Sequence, residues 1–180
     1  MMRAIPLGLR DSRGAAAAEM ALVLPLLLII MFGSVELGNY FMNEHSLVKA
    51  VRDGARFAAR QSFTNYNSCS GAPGGTVVSD TRNLVSSGYL GGGTVLTPNI
   101  QPSDITLSVS CESEVGGQNM LGIYRSRFGT TCDGATAGGC AQTVTVSASV
   151  NYRPVVGSAF GFSGLGMKLN ASSQAAVAGL

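Results

Sequence analysis

Glu19 is the one charged side chain in the 21 residues from Ala15 to Val35, AAAAEMALVLPLLLIIMFGSV. A carboxylate placed in hydrocarbon costs a few kcal/mol, about 2.5–3.5 for Asp at the bilayer centre and less toward the interface. The simplest account of Glu19 puts it at the interface, in the first turns of a helix whose macrodipole favours an anion there. Cys69, Cys111, Cys132 and Cys140 form the second group with chemistry of its own. Four cysteines allow two disulfides in three connectivities. Cys132 and Cys140 bracket a short Gly-rich loop and are the first choice of pair, leaving Cys69 with Cys111. A zinc site is disfavoured, because there is no C-x-x-C pair and the single histidine, His45, stands alone. His45 would also have to serve as the base of any Ser or Cys hydrolase. Glu112 and Glu114 alternate at the end of a predicted strand and do not face one another, so they make a poor glycosidase pair. No phosphate-cradling Gly motif is present. Asn170–Ala171–Ser172 has the form of a glycosylation sequon, a three-residue match that arises often by chance. The expectation is a non-enzyme without a cofactor or a metal.

The elements that position these groups follow from hydropathy and charge. Residues 15–35 are long enough for a transmembrane helix, since about 20 residues at ~1.5 Å rise cross a ~30 Å core. A helix also satisfies its own backbone groups in lipid. Arg3, Arg10 and Arg13 against Asp11 give the first fourteen residues all of the chain's net charge of +2. The basic leader predicts a cytoplasmic N-terminus. With the excess charge confined there, no nucleic-acid footprint remains. A cleavable secretory signal fits less well: the apolar run is too long, and FGSVELGNY after it offers no Ala-x-Ala site. Charged residues make up only 12% of the 180 residues, mean hydropathy is +0.27, and Trp is absent. About 25% charged is ordinary for a soluble protein. Pro25 removes a backbone donor inside the span and predicts a kink.

From Glu36 to Arg60, Leu37, Tyr40, Phe41, Leu47, Val48, Val51, Ala55 and Ala58 fall in one apolar band of a helix, with Lys49, Arg52, Arg56 and Arg60 on a flank. Glu44 interrupts the band and calls for a basic partner or a neighbouring subunit. No linker separates the two patterns, so a single helix, bent or straight, is expected from about Ala15 to Arg60. Residues 61–75 read as a turn-rich loop. Ser79–Asp80 offers an N-cap for a short helix over TRNLVSSGYL, closed by Gly91–Gly93. Ile105–Cys111, Thr143–Tyr152 and Met167–Val177 read as strands, with Thr94–Leu96 a further edge strand. Val alternating with Ser and Thr predicts an antiparallel sheet with one wet face. Gly116–Gly139 reads as a long loop. The expected fold is α+β: a long N-terminal helix laid across a small antiparallel sheet, with residues 61–180 as the exported domain.

RDSRGAAAAEMALVLPLLLIIMFGSVELGNYF followed by AVRDGARFAAR resembles the TadE-like pseudopilins of the tight-adherence (Tad/Flp) pilus system. Gly14, Glu19, Pro25, Phe32–Gly33, Glu36, Gly38 and Arg52–Asp53–Gly54–Ala55–Arg56 carry the likeness over residues 10–60, and NYRPVVG near the C-terminus is a fainter echo. The resemblance implies a pilin-like outline and a leader, residues 1–14, removed between Gly14 and Ala15 by a prepilin peptidase. It implies that Glu19 then pairs with the new amine of Ala15 as subunits assemble. Its implied partners are the membrane, the peptidase, other pilin or pseudopilin subunits and the assembly machinery. Met20 stands where major pilins of this system carry Tyr or Phe, which favours a minor pseudopilin. The implied location is the bacterial inner membrane, single-pass, with the C-terminal domain periplasmic or, after assembly, at the cell surface. The alternative is a membrane-anchored periplasmic binding module outside any pilus.

Overall fold

The computed structural model describes residues 12–95, 100–112, 114–115, 118–119, 141–159 and 166–179. One helix, α1, runs from Ser12 to Ala59, 48 residues, and passes through Pro25 without interruption. It therefore takes in Gly14, and the two apolar patterns form one element. α2 spans Val77–Ser87. The strands are β1 (Ile105–Glu112), β2 (Glu114–Val115), β3 (Gln118–Asn119), β4 (Ala141–Asn151) and β5 (Lys168–Ala176), with a short helix α3 (Val155–Ala159) between β4 and β5. β1, β4 and β5 form an antiparallel sheet in that order, and β2 and β3 pair with each other.

The expected alternation sets the sheet's two faces. Ile105, Leu107 and Val109 on β1, Val144, Val146, Ala148 and Val150 on β4, and Leu169 on β5 are buried. On the other face, Thr106 pairs with Ser147 and Ser110 with Thr143, in register, at hydroxyl separations of 2.9 and 2.6 Å. Such cross-strand hydroxyl pairs are the usual stabilising unit of a wet face. The far half of α1 covers the apolar face: Leu47, Val51, Ala55, Ala58 and Ala59 are buried in the same core. The end of α1 is tied down by the Ala178 amide, which donates to the Ala59 carbonyl at 2.8 Å.

The structure amends the sequence reading at several points. The cap of α2 is Thr76, not Ser79–Asp80, and the helix stops at Gly88, whose φ of +78° suits a residue without Cβ. Thr94 and Val95 are irregular rather than part of a strand, and Leu96 lies outside the described residues. β3 falls where a loop was expected, while the rest of 116–139 lies outside the described residues. α3 was not anticipated. The apolar band of α1 also divides: its far half enters the core, but Leu37 and Phe41 stay exposed because the sheet domain ends at their level. Glu44, on that band, is half-buried and has no ion-pair partner among the described residues. Arg52, Arg56 and Arg60 are exposed, as a solvated flank should be. The one ion pair there, Arg56 to Asp53 at 3.9 Å, lies between exposed side chains and adds little.

Gly54 is where α1 and α2 meet. A Cβ added there would lie 2.4 Å from Val85 Cγ2 and 3.3 Å from Thr81 Cγ2. The glycine of the Arg52–Arg56 motif thus permits a close approach of two helices.

Candidate functional site

Gly14, Ala15, Glu19 and Pro25 all lie on a part of α1 that none of the described residues covers; every large hydrophobic residue between Met20 and Met31 is exposed to a marked degree. The segment is one helix long and apolar enough to cross a membrane, which points to membrane anchoring. Ala15 and Glu19 are four residues apart, hence one above the other on the same helix face, about 6 Å apart along the axis. Side chains on a helix lean toward its N-terminus, so the Glu19 carboxylate leans toward the Ala15 nitrogen. Among the described residues Glu19 has no hydrogen-bond or ion-pair partner. Among the described residues nothing outside its own helix comes within 4 Å of a Cβ built on Gly14.

A second acid was not singled out as a site by the sequence, and the structure gives it the densest polar environment on α1. The Tyr152 hydroxyl donates to Glu36 Oε1, the Val155 amide to Oε1 at 3.2 Å and the Val156 amide to Oε2 at 2.8 Å. Asn39 Nδ2 donates in turn to the Tyr152 hydroxyl at 2.9 Å. The Tyr40 ring meets Tyr152 edge-on at 5.2 Å. The Tyr152 hydroxyl is the main reason that the Glu36 carboxyl is held below its ordinary value; partial burial works against this, and the two amides add to it. Tyr152 itself is pushed up, by burial first and by Glu36 second. This latch joins two segments of the resemblance that lie more than a hundred residues apart in the chain: Glu36 in FGSVELG and Tyr152, Val155 and Val156 in NYRPVVG. Both were visible in the sequence, but nothing there linked them.

The Cys69–Cys111 pair forms a disulfide, with the two Cα atoms 5.0 Å apart, and fixes the turn-rich loop to the end of β1. The Val109 amide donates to the Gly71 carbonyl at 2.8 Å beside it. Cys132 and Cys140, the other expected pair, lie outside the described residues. That loop also contributes an unexpected core residue, Tyr66, whose hydroxyl donates to the Ala58 carbonyl and whose own carbonyl accepts from Gln142 Nε2 at 2.8 Å. Burial pushes the Tyr66 hydroxyl up to about 12. Among the described residues no three His, Cys, Asp or Glu side chains gather as metal ligands. His45 is exposed on α1, and Glu112 and Glu114 fall in β1 and β2.

No curated protein and no solved structure matches the chain. The family model described as TadE-like protein matches residues 14–56, from Gly14 to the arginine that ends the Gly54 motif. That span holds Glu19, Pro25, Glu36 and Gly54, so the resemblance read from the residues is borne out. The family is structural and pilus-related. Over residues 14–56, all within its long N-terminal helix, this chain is similar to the TadE-like family.

Proposed function

We propose that the chain is a minor pseudopilin acting in the assembly or initiation of a Tad/Flp type IVb pilus, with no catalytic role. A prepilin peptidase cuts between Gly14 and Ala15 at the cytoplasmic face. α1 spans the inner membrane once, and the sheet domain is periplasmic. The observation that carries this reading is a Glu19 without a partner among the described residues, one helical turn from Ala15, on a helix whose apolar surface those residues leave bare. Removing the leader deletes Arg3, Arg10, Arg13 and Asp11, which leaves the remaining side chains formally neutral. It also frees the Ala15 ammonium. Two opposite charges 4 Å apart attract by about 1 kcal/mol in water and about 4 kcal/mol at an effective dielectric constant near 20, so the pair strengthens as lipid or neighbouring helices displace water. Glu19 pairs with that amine, in its own subunit or the next one. The bare face from Met20 to Met31 packs against other pilin or pseudopilin helices, and Pro25 provides the point at which the helix bends on leaving the bilayer.

Mass spectrometry of the N-terminus, from cells with and without the prepilin peptidase, tests the proposal. The expected mature chain begins at Ala15 only where the peptidase is present. A native product beginning at Met1 refutes the processing step and leaves an anchored periplasmic binding module as the reading. Glu19→Ala is expected to insert in the membrane normally and to abolish piliation; unchanged piliation refutes the role of Glu19.

A further inference from the structure

The apolar surface of α1 does not end where the spanning pattern ends. Leu37, Phe41 and Met42 continue it, and two residues of the sheet domain, Val155 and Met167, join it; their exposure runs from 39% at Met167 to 75% at Met42. A groove of about 350 Å³ lies between helix and domain, lined by Gly33, Glu36, Leu37 and Tyr40 on one side and Tyr152 and Met167 on the other, with almost wholly apolar walls. Gly33 belongs to the stretch that reads as membrane-spanning, so Met167 and Tyr152 sit at the depth of the span's last turn. The polar headgroup layer adds roughly 5–8 Å on each side of the hydrocarbon core. At ~1.5 Å per residue beyond Val35, that layer reaches to about residue 40.

Three further features fit this level. Tyr40 and Tyr152, ring against ring, are the amphipathic side chains that favour a membrane–water interface. Arg153 and Lys168 are exposed next to Tyr152 and Met167, whose backbones are joined by a 2.9 Å bond from the Tyr152 amide to the Met167 carbonyl. They place two cations at headgroup height, where anionic lipid attracts each by about 1 kcal/mol. Among the described residues the one acid at this level, Glu36, is turned inward and held by three donors, while Glu44 comes two turns later. Continuity with the spanning helix, the aromatic pair and the cations all select lipid as the occupant.

We propose that the base of the sheet domain is a lipid-seated surface. Leu37, Phe41, Val155 and Met167 rest in the outer leaflet, an acyl chain fills the groove beside Gly33, and Arg153 and Lys168 reach its phosphates. The domain is therefore held against the bilayer by its own underside as well as by the span, whether or not the chain enters a pilus.

The absence of Trp from the chain makes single-Trp reporters clean. Phe41→Trp, Met42→Trp, Val155→Trp and Met167→Trp, each at an exposed position, are compared in the full-length chain with Arg60→Trp at the far end of α1. The host is a vesicle of phosphatidylethanolamine and phosphatidylglycerol, with and without lipids brominated near the headgroup end of the acyl chain. The expected result is blue-shifted emission at 41, 42, 155 and 167, with quenching at least twofold greater than at 60. Adding Arg153→Glu and Lys168→Glu to Val155→Trp should reduce that quenching. Emission and quenching at 155 and 167 equal to those at 60 would mean that the base faces water, and would overturn the proposal. A blue shift without quenching would also overturn it, since a second copy of the chain or another protein would then cover the surface. Because four positions report independently, one poorly folding variant does not remove the test.

Discussion

Gly54→Ala tests whether the helix–helix approach, rather than helix propensity, sets the residue at this position. In a solvated helix interior the change stabilises by about 0.8–1 kcal/mol. Here the new Cβ lies 2.4 Å from Val85 Cγ2, where carbon atoms rest at about 3.5–4.0 Å, so one element must move by about 1 Å. Val85 has little freedom to yield: it is 3% exposed, and a β-branched residue in a helix has one strongly preferred χ1. Overpacking of this kind costs about 1–3 kcal/mol, which outweighs the propensity gain and leaves a net loss of about 1 kcal/mol. For a chain of this size that lowers Tm by about 2–4 °C. The decisive measurement is the double-mutant cycle with Val85→Ala, followed by thermal and urea unfolding of the full-length chain in detergent micelles. Val85→Ala alone should destabilise by about 2 kcal/mol through lost packing. In its background the clashing methyl is gone, and Gly54→Ala should turn stabilising by about 0.5 kcal/mol, since Thr81 Cγ2 at 3.3 Å still crowds the site. A stabilising Gly54→Ala in the wild-type background, or a cycle that adds to zero coupling, would refute the close-approach account.

Breaking the Cys69–Cys111 bridge with the paired Ser substitutions releases a loop with a sequence separation of 42, and the chain-entropy relation gives a loss of about 4 kcal/mol in a urea titration. Thr81 Oγ1 is buried with no hydrogen-bond partner among the described residues, so Thr81→Val should raise the urea midpoint, by up to about 1 kcal/mol in stability. Tyr152→Phe removes the main donor to Glu36 and should cost about 1–2 kcal/mol at pH 7. The folded Glu36 pKa lies below its unfolded value, so the latch stabilises at neutral pH and its contribution disappears as pH falls through the folded value. Unfolding measured from pH 7 down to about 3 should therefore show a shallower acid loss in Tyr152→Phe than in the wild type; equal slopes would dissociate Glu36 from the latch.

Much of the fold could be read along the chain because its determinants are local. The span is a run of apolar residues, and its continuation a 3.6-residue period without an intervening breaker, so one helix followed. Val alternating with Ser and Thr set the faces of β1 and β4 through the period of 2 alone. Cys69–Cys111 emerged from spacing as the partner of another choice. The features that escaped are set by distance in sequence. Glu36 looks like any acid at the end of a span until Tyr152 and the Val155 and Val156 amides, more than a hundred residues on, are brought to it. Tyr66 lies in a segment of Ser, Asn and Gly whose composition says loop, yet its ring fills the core beneath Ala58. Thr76 displaced the expected cap of α2 because the turn at Gly74–Gly75, anchored by the Gly74 amide on the Asn65 carbonyl at 2.7 Å, starts the helix earlier.

The division of α1 has a mechanical consequence. From Leu47 to Ala59 the helix is an interior element of the sheet domain, while from Met20 to Met31 its large hydrophobic side chains are exposed. Between these halves stands Glu36, the only side chain of that stretch joined to the domain through its carboxylate, backed by Asn39 on Tyr152. Any force or rotation applied to the exposed half passes this point before the packed seam begins about three turns later. A latch made of one carboxylate and three donors is directional, and it resists rotation of the helix about its axis in a way that an apolar contact does not. Glu19 and Glu36 therefore have opposite positions with respect to the fold: Glu36 is satisfied within the chain and sets how the domain sits on its helix, whereas Glu19 is left at the far end without a partner among the described residues.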